Sequence, residues 1–153
     1  MPPQSTTPPS APARPSTRGP RIASALVALA CLAVLGLAAW LKPDAAGHGT
    51  HTQLGLANCQ WVAMFDEPCP TCGMTTSFAY AANADFLHGL KTQPFGFLLA
   101  LGTATVFWGA VHGAVTNAAL GREATRLING KTLLVAFAML LAAWVYKLIT
   151  WTG

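Results

Sequence analysis

Charge is what this chain has least of. Asp, Glu, Lys and Arg together make up 9% of its 153 residues, against roughly 25% in ordinary soluble domains, while 53% of the residues are hydrophobic. That balance excludes a water-soluble globule. Nine bases against five acids give a net charge of +4. The bases border apolar runs instead of forming a patch interleaved with aromatics, which argues against nucleic acid as a partner. Several reaction motifs are also missing: there is no glycine-rich phosphate loop, no G-x-S-x-G elbow and no H-E-x-x-H pair. Asp66 and Glu67 are adjacent, so their side chains diverge and read as a solvated loop rather than a general acid and base pair. Cysteine is scarce too, at four residues, and the one C-x-x-C is followed by Gly73 instead of His, which excludes c-type haem attachment.

What the chain does have is long apolar runs. Residues 1–21 contain seven prolines and no apolar periodicity, so they read as a disordered tail. Residues 22–41 are then twenty residues without a charge, enough at 1.5 Å per residue to cross a hydrocarbon layer of roughly 30 Å. That length also exceeds a signal-peptide core, so the segment reads as a retained anchor, with Cys31 a small apolar thiol within it. A second run, 94–115, opens on Pro94, where a first-turn proline loses no helical hydrogen bond. The third, 132–151, carries one charge, Lys147, placed to snorkel toward the interface. In the second run, Thr105, Gly109 and Gly113 recur every four residues and suit close packing within the chain. His112 lies one turn from that run's end, where it can reach water.

The distribution of Lys and Arg orients these spans. Arg14, Arg18 and Arg21 precede the first and Arg122, Arg126 and Lys131 separate the second from the third, while Lys42, Lys91 and Lys147 fall at the other end. The positive-inside rule then puts the N-terminus in the cytoplasm and the C-terminus outside. Trp40, Phe95, Phe97 and Trp151 fall near the outer interface, where amphipathic rings prefer to sit. Residues 42–93 form the one sizeable extramembrane segment, facing away from the cytoplasm. Within it Met74, Phe78, Ala82, Phe86 and Leu90 recur every four residues, which predicts one short amphipathic interfacial helix over about 73–88. The fold class is therefore an all-α integral membrane bundle of three transmembrane helices plus that short helix, with the lipid bilayer as its first partner and a protein in the membrane as a second.

The outer segment holds Cys59, Cys69 and Cys72, with His48 and His51 upstream and His88 downstream. A C-x-x-C turn brings two sulfurs close enough to bond to each other or to clamp one metal. Pro70 fits the first turn of the following helix, which puts Cys69 near a helix N-terminus, where the thiolate is favoured. Three readings follow. A plain disulfide, Cys59–Cys69 or Cys69–Cys72, staples the loop and gives the chain a structural or interaction role, the reading favoured here. A tetrahedral site of Cys59, Cys69, Cys72 and His51 makes zinc the candidate cofactor, which the odd number of outer thiols supports. Thiol–disulfide exchange has Cys69 attack and Cys72 resolve, with Cys59 a partner thiol.

The stretch Cys69-Pro70-Thr71-Cys72-Gly73-Met74-Thr75, with Cys59 ten residues upstream and Gln93-Pro94-Phe95-Gly96 opening the next apolar run, resembles the small bacterial membrane proteins grouped as domain of unknown function 2752. The likeness covers roughly residues 51–105, and His51 to Leu56 resembles what precedes the upstream cysteine in some members. Where members often carry arginine, this chain has Thr76, so a role for that arginine does not carry over. The resemblance implies a multi-span protein of a bacterial cytoplasmic membrane and supplies no activity.

Overall fold

The computed structural model describes residues 18–116 and 129–151. The fold is all-α: helices and no strand occur among the described residues. Three helices are long and apolar enough to cross a membrane: α1 (Arg18–Trp40), α5 (Pro94–Thr116) and α6 (Gly130–Ile149). Between the first two lie a 3-10 helix (Thr50–Leu54) and three short α-helices, α2 (Gln60–Phe65), α3 (Met74–Ala82) and α4 (Phe86–Thr92). This is the architecture of an integral membrane protein.

α1 is already helical at Arg18, the first described residue, four residues before the uncharged run. Residues 18–21 of the expected tail are therefore helical, and residues 1–17 lie outside the described residues. At the head of α5, the Gln93 side chain accepts from the Gly96 N–H at 2.8 Å. It caps the helix as a shorter polar residue normally does. α6 opens on a reciprocal cap: the Asn129 side-chain Oδ1 accepts from the N–H groups of Lys131 and Thr132, and the Thr132 hydroxyl accepts from the Asn129 N–H.

α1 and α5 run antiparallel, tied at one end by the Arg21 guanidinium, which donates to the Ala114 carbonyl at 3.1 Å. At the other end α3 wedges against both. The approach of α3 to α5 is set by Gly96, where an added Cβ would stand 3.2 Å from Met74 Cα and 3.3 Å from Ser77 Cβ. The Thr105, Gly109 and Gly113 row does not form a continuous contact line. Thr105 is exposed and a Cβ on Gly109 would meet nothing, while Gly113 alone is buried.

The single helix predicted over 73–88 is broken in two. α3 ends at Asn83, whose side chain turns back to donate to the Ala79 carbonyl at 2.8 Å. Ala84 takes a positive φ of 62°, and Asp85 starts α4 by accepting from the His88 N–H. Asn and Asp compete with helical backbone bonds in this way. The buried face also differs from the apolar row. Phe86 and Leu90 are exposed, whereas Thr76, Ser77 and Ala79 are buried. The pairing explains this: Thr76 Oγ1 and Thr50 Oγ1 lie 2.8 Å apart, and Ser77 Oγ donates to the carbonyls of Gly89 and Gln93. In a bundle whose outside is apolar, hydroxyls gain by turning inward to partners.

α6 meets α5 sparingly and is held by its end. Trp144 Nε1 donates to the Pro68 carbonyl at 2.9 Å, Tyr146 Oη to that of Lys91 at 3.0 Å, and Trp151 Nε1 to that of Asp66 at 3.2 Å. Lys147 does not snorkel to water. It is buried, donates to the Gly47 carbonyl at 3.3 Å and lies 5.7 Å from the centre of the Trp151 ring.

Candidate functional site: the cysteine end

The cysteine segment begins at α2. Cys59 is the residue just before that helix, with φ −59° and ψ 114°, outside helical geometry. No full side-chain cap bond forms. The N–H groups of Val62 first and Trp61 second nevertheless act on its sulfur and hold its thiol below the usual thiol range, against the opposing effect of burial. Asp66, in left-handed conformation at φ 55°, ends α2 and leads the chain through Pro68 to the next cysteine.

Cys69, Pro70, Thr71 and Cys72 form a tight turn closed by a bond from the Cys72 N–H to the Cys69 carbonyl at 2.9 Å. Pro70 serves this turn and not the first turn of α3, whose capping residue is Gly73 at φ 82°. Cys69 therefore does not sit at a helix N-terminus as the sequence suggested; Cys59 takes that position. Gly73 is required twice over, because its φ suits glycine and an added Cβ would stand 2.6 Å from the Gly47 carbonyl.

The sulfurs of Cys59 and Cys69 lie 3.8 Å apart in S–H···S contact, and Cys69 Sγ is 3.4 Å from Thr71 Oγ1. Both cysteines are half-buried, and no thiol among the described residues is bonded to another. Cys72 is buried. Burial first, and the neighbouring Cys69 second, push its thiol up to about 11, although the nearby Lys147 ammonium pulls the other way. The three thiols of this end thus differ in character: the Cys59 thiol is lowered, Cys69 stands in contact with it, and the Cys72 thiol is raised.

Of the other residues singled out in the sequence, His51 turns its Nε2 toward the Ala57 carbonyl at 3.2 Å, and His48 packs its ring 4.8 Å from that of Trp151. His88 pairs with Asp85 at 2.8 Å, which lowers the Asp85 carboxyl. Among the described residues no three His, Cys, Asp or Glu side chains stand together as a metal-holding group. His112 is exposed near the far end of α5. Lys147 was missed as a neighbour of the thiols. The signal available was its position as the one charge in an apolar span, a placement that calls for an internal partner as readily as for the interface.

The cysteines also line a cleft of about 870 Å³. Val34, Leu37 and Ala38 of α1 line it, together with the stretch that follows α1, the cysteine segment and the start of α3.

Three spans and a sulfur-bearing end define a membrane protein with a thiol cluster. Residues 59–108 match the model of the family described as Protein of unknown function (DUF2752), and over that stretch the chain resembles the family. No curated protein and no solved structure matches the chain.

Proposed function

We propose that the chain is a membrane-anchored thiol–disulfide module in which Cys59 and Cys69 form the bond that is made and broken and Cys72 resolves it. The carrying observation is the 3.8 Å contact between the Cys59 and Cys69 sulfurs, from which side-chain rotation reaches a bond of about 2.05 Å. Closed, the bond clasps α2 to the C-x-x-C turn and does the structural work of a staple. Opening from within draws on the small thiolate fraction of Cys72, whose thiol is raised to about 11; that sulfur attacks Cys69 Sγ, and its proton leaves through the cleft that it lines. The Cys69–Cys72 bond forms, the Cys59–Cys69 bond breaks, and Cys59 leaves as the thiolate. The direction of its pKa makes Cys59 the better leaving group.

This chemistry requires an oxidising compartment. Arg18, Arg21 and Lys131 belong to the end opposite the cysteines, which supports an extracytoplasmic cysteine end in a bacterial cytoplasmic membrane. Labelling intact, pre-reduced cells with an impermeant maleimide should modify Cys59; protection until the cells are lysed would reverse the orientation.

Peptide mapping of the purified, non-reduced protein tests the bond. The expected result is Cys59 joined to Cys69 with Cys31 free, and mixed disulfides with other proteins accumulating in Cys72→Ala. A stable bond with no mixed disulfide in that variant leaves the clasp alone.

A second reading has an observation of its own. Two thiolates on a tetrahedral zinc, with bonds of about 2.3 Å, stand about 3.8 Å apart, which is the Cys59–Cys69 separation. Cys72 and His51 would complete that set after local rearrangement. Zinc analysis beside thiol counting separates the two: near-stoichiometric zinc lost in Cys72→Ala supports the metal.

A further inference from the structure

A dithiol that closes to a disulfide releases two electrons and two protons, and the cleft beside the sulfurs suits a molecule that accepts them. Its lining includes Val34 and Leu37 of a membrane-spanning helix, 49% and 44% exposed, which offer an apolar face to a molecule dissolved in lipid. The same lining carries Cys59, Cys69 and Cys72 together with Asn58 and Thr71, whose amide and hydroxyl can donate to carbonyl oxygens. The volume of about 870 Å³ falls within the usual range for small-molecule sites. Charge narrows the occupant further. Asp44 lines the cleft and no Lys or Arg does, which disfavours the phosphate of an anionic lipid. A plain acyl chain would satisfy the α1 residues and leave those donors unused. What fits both is a neutral, apolar molecule with a carbonyl-bearing head.

Resting on the reading of Cys59 and Cys69 as the bonding pair, we infer that this cleft admits a lipid-soluble quinone, which oxidises the two thiols. The S–S bond forms between Cys59 and Cys69, both S–H bonds break, and the quinone takes the two electrons and two protons to become the quinol. Cys59 provides the first sulfur for attack, and Cys69 closes the bond.

The test uses the reduced full-length protein in lipid nanodiscs under anaerobic conditions, with a decyl-chain benzoquinone whose ring is fully substituted. The expected result is one quinone bleached per Cys59–Cys69 bond, at a rate that saturates with quinone concentration. Val34→Trp and Leu37→Trp, each filling the cleft from its α1 lining, should slow that saturable rate at least about tenfold. Oxidation of the same variants by diamide should be unchanged, which shows that they are folded and that their thiols are competent. If diamide closes the bond while quinone bleaches without saturation or ignores both tryptophans, the quinone site is overturned and the bonding pair stands. A thioether adduct in place of the disulfide also overturns the quinone site. If neither oxidant joins Cys59 to Cys69, the bonding pair itself is wrong.

Discussion

The α1, α3, α4 and α5 unit and the α6 helix are held in place by different physics. In the first, small residues let backbones approach and buried hydroxyls join the helices, as at Gly96 and Ser77. In the second, a helix with little lateral contact is moored at its end by side-chain donors to the carbonyls of Gly47, Asp66, Pro68 and Lys91, all in the stretch between α1 and α5. Lipid tails offer helices no hydrophobic incentive to associate, so packing and polar contacts must do that work. One chain thus divides the two devices between its parts, and the moored helix brings Lys147 near Cys72.

The largest effect should come from overfilling the packed unit. Gly96→Leu forces atoms into Met74 and Ser77 and should cost on the order of 1–3 kcal/mol or more, seen as a lower unfolding midpoint in detergent. Gly109→Leu, facing open space, should leave that midpoint almost unchanged. Equal effects would remove the distinction between the two glycines. Next, Ser77→Ala strips one donor from two buried carbonyls and should destabilise by about 1–3 kcal/mol in the same assay.

The mooring of α6 should respond more weakly. Trp144→Phe keeps the ring packing and loses the bond to Pro68, for about 1 kcal/mol, with faster hydrogen exchange confined to the last turns of α6. Exchange spreading into α1 and α5 would mean that the two regions are one unit.

The pH dependence sharpens the site. The Cys72 thiol is raised from 9.0 to about 11 in the folded chain, so its contribution to stability is complete below pH 9 and is lost as pH rises through about 11. Stability should fall over that window and fall less in Cys72→Ala. At pH 8 an alkylating reagent should modify Cys59 well before Cys72. The smallest change belongs to Asp85→Asn. The Asp85 carboxyl is lowered chiefly by its hydrogen bond to His88, so its effect is present above the ordinary carboxylate range and fades as pH falls. The exposed pair is screened by solvent, so the substitution should move the midpoint less than any of the changes above.

Much of the frame was legible because it rests on runs of one chemical kind. The three spans follow from twenty or so apolar residues each, and the structure moves their ends by only a few positions. α3 and α4 were not legible as two helices, since the four-residue apolar row continued across Asn83 and Asp85 while their side-chain caps stopped the backbone. The buried face was misjudged because a row of apolar residues marks a core only when water lies outside. Here Thr76 and Ser77 turn inward and Phe86 is left outside.

The site divides in the same way. C-x-x-C spacing identified Cys69 and Cys72, and the compartment argument added Cys59. That Cys59 is the cysteine beside a helix start, that its sulfur meets Cys69, and that Lys147 reaches Cys72 across 75 residues of chain were decided by tertiary structure.

The sequence by itself determined how many helices are apolar and long enough to cross a bilayer, because transfer into hydrocarbon depends on composition and length and needs no partner. Only the tertiary structure decided which thiols touch and which one keeps its proton. Those properties depend on distances of a few ångströms and on local burial, and both are set where separate stretches of chain meet.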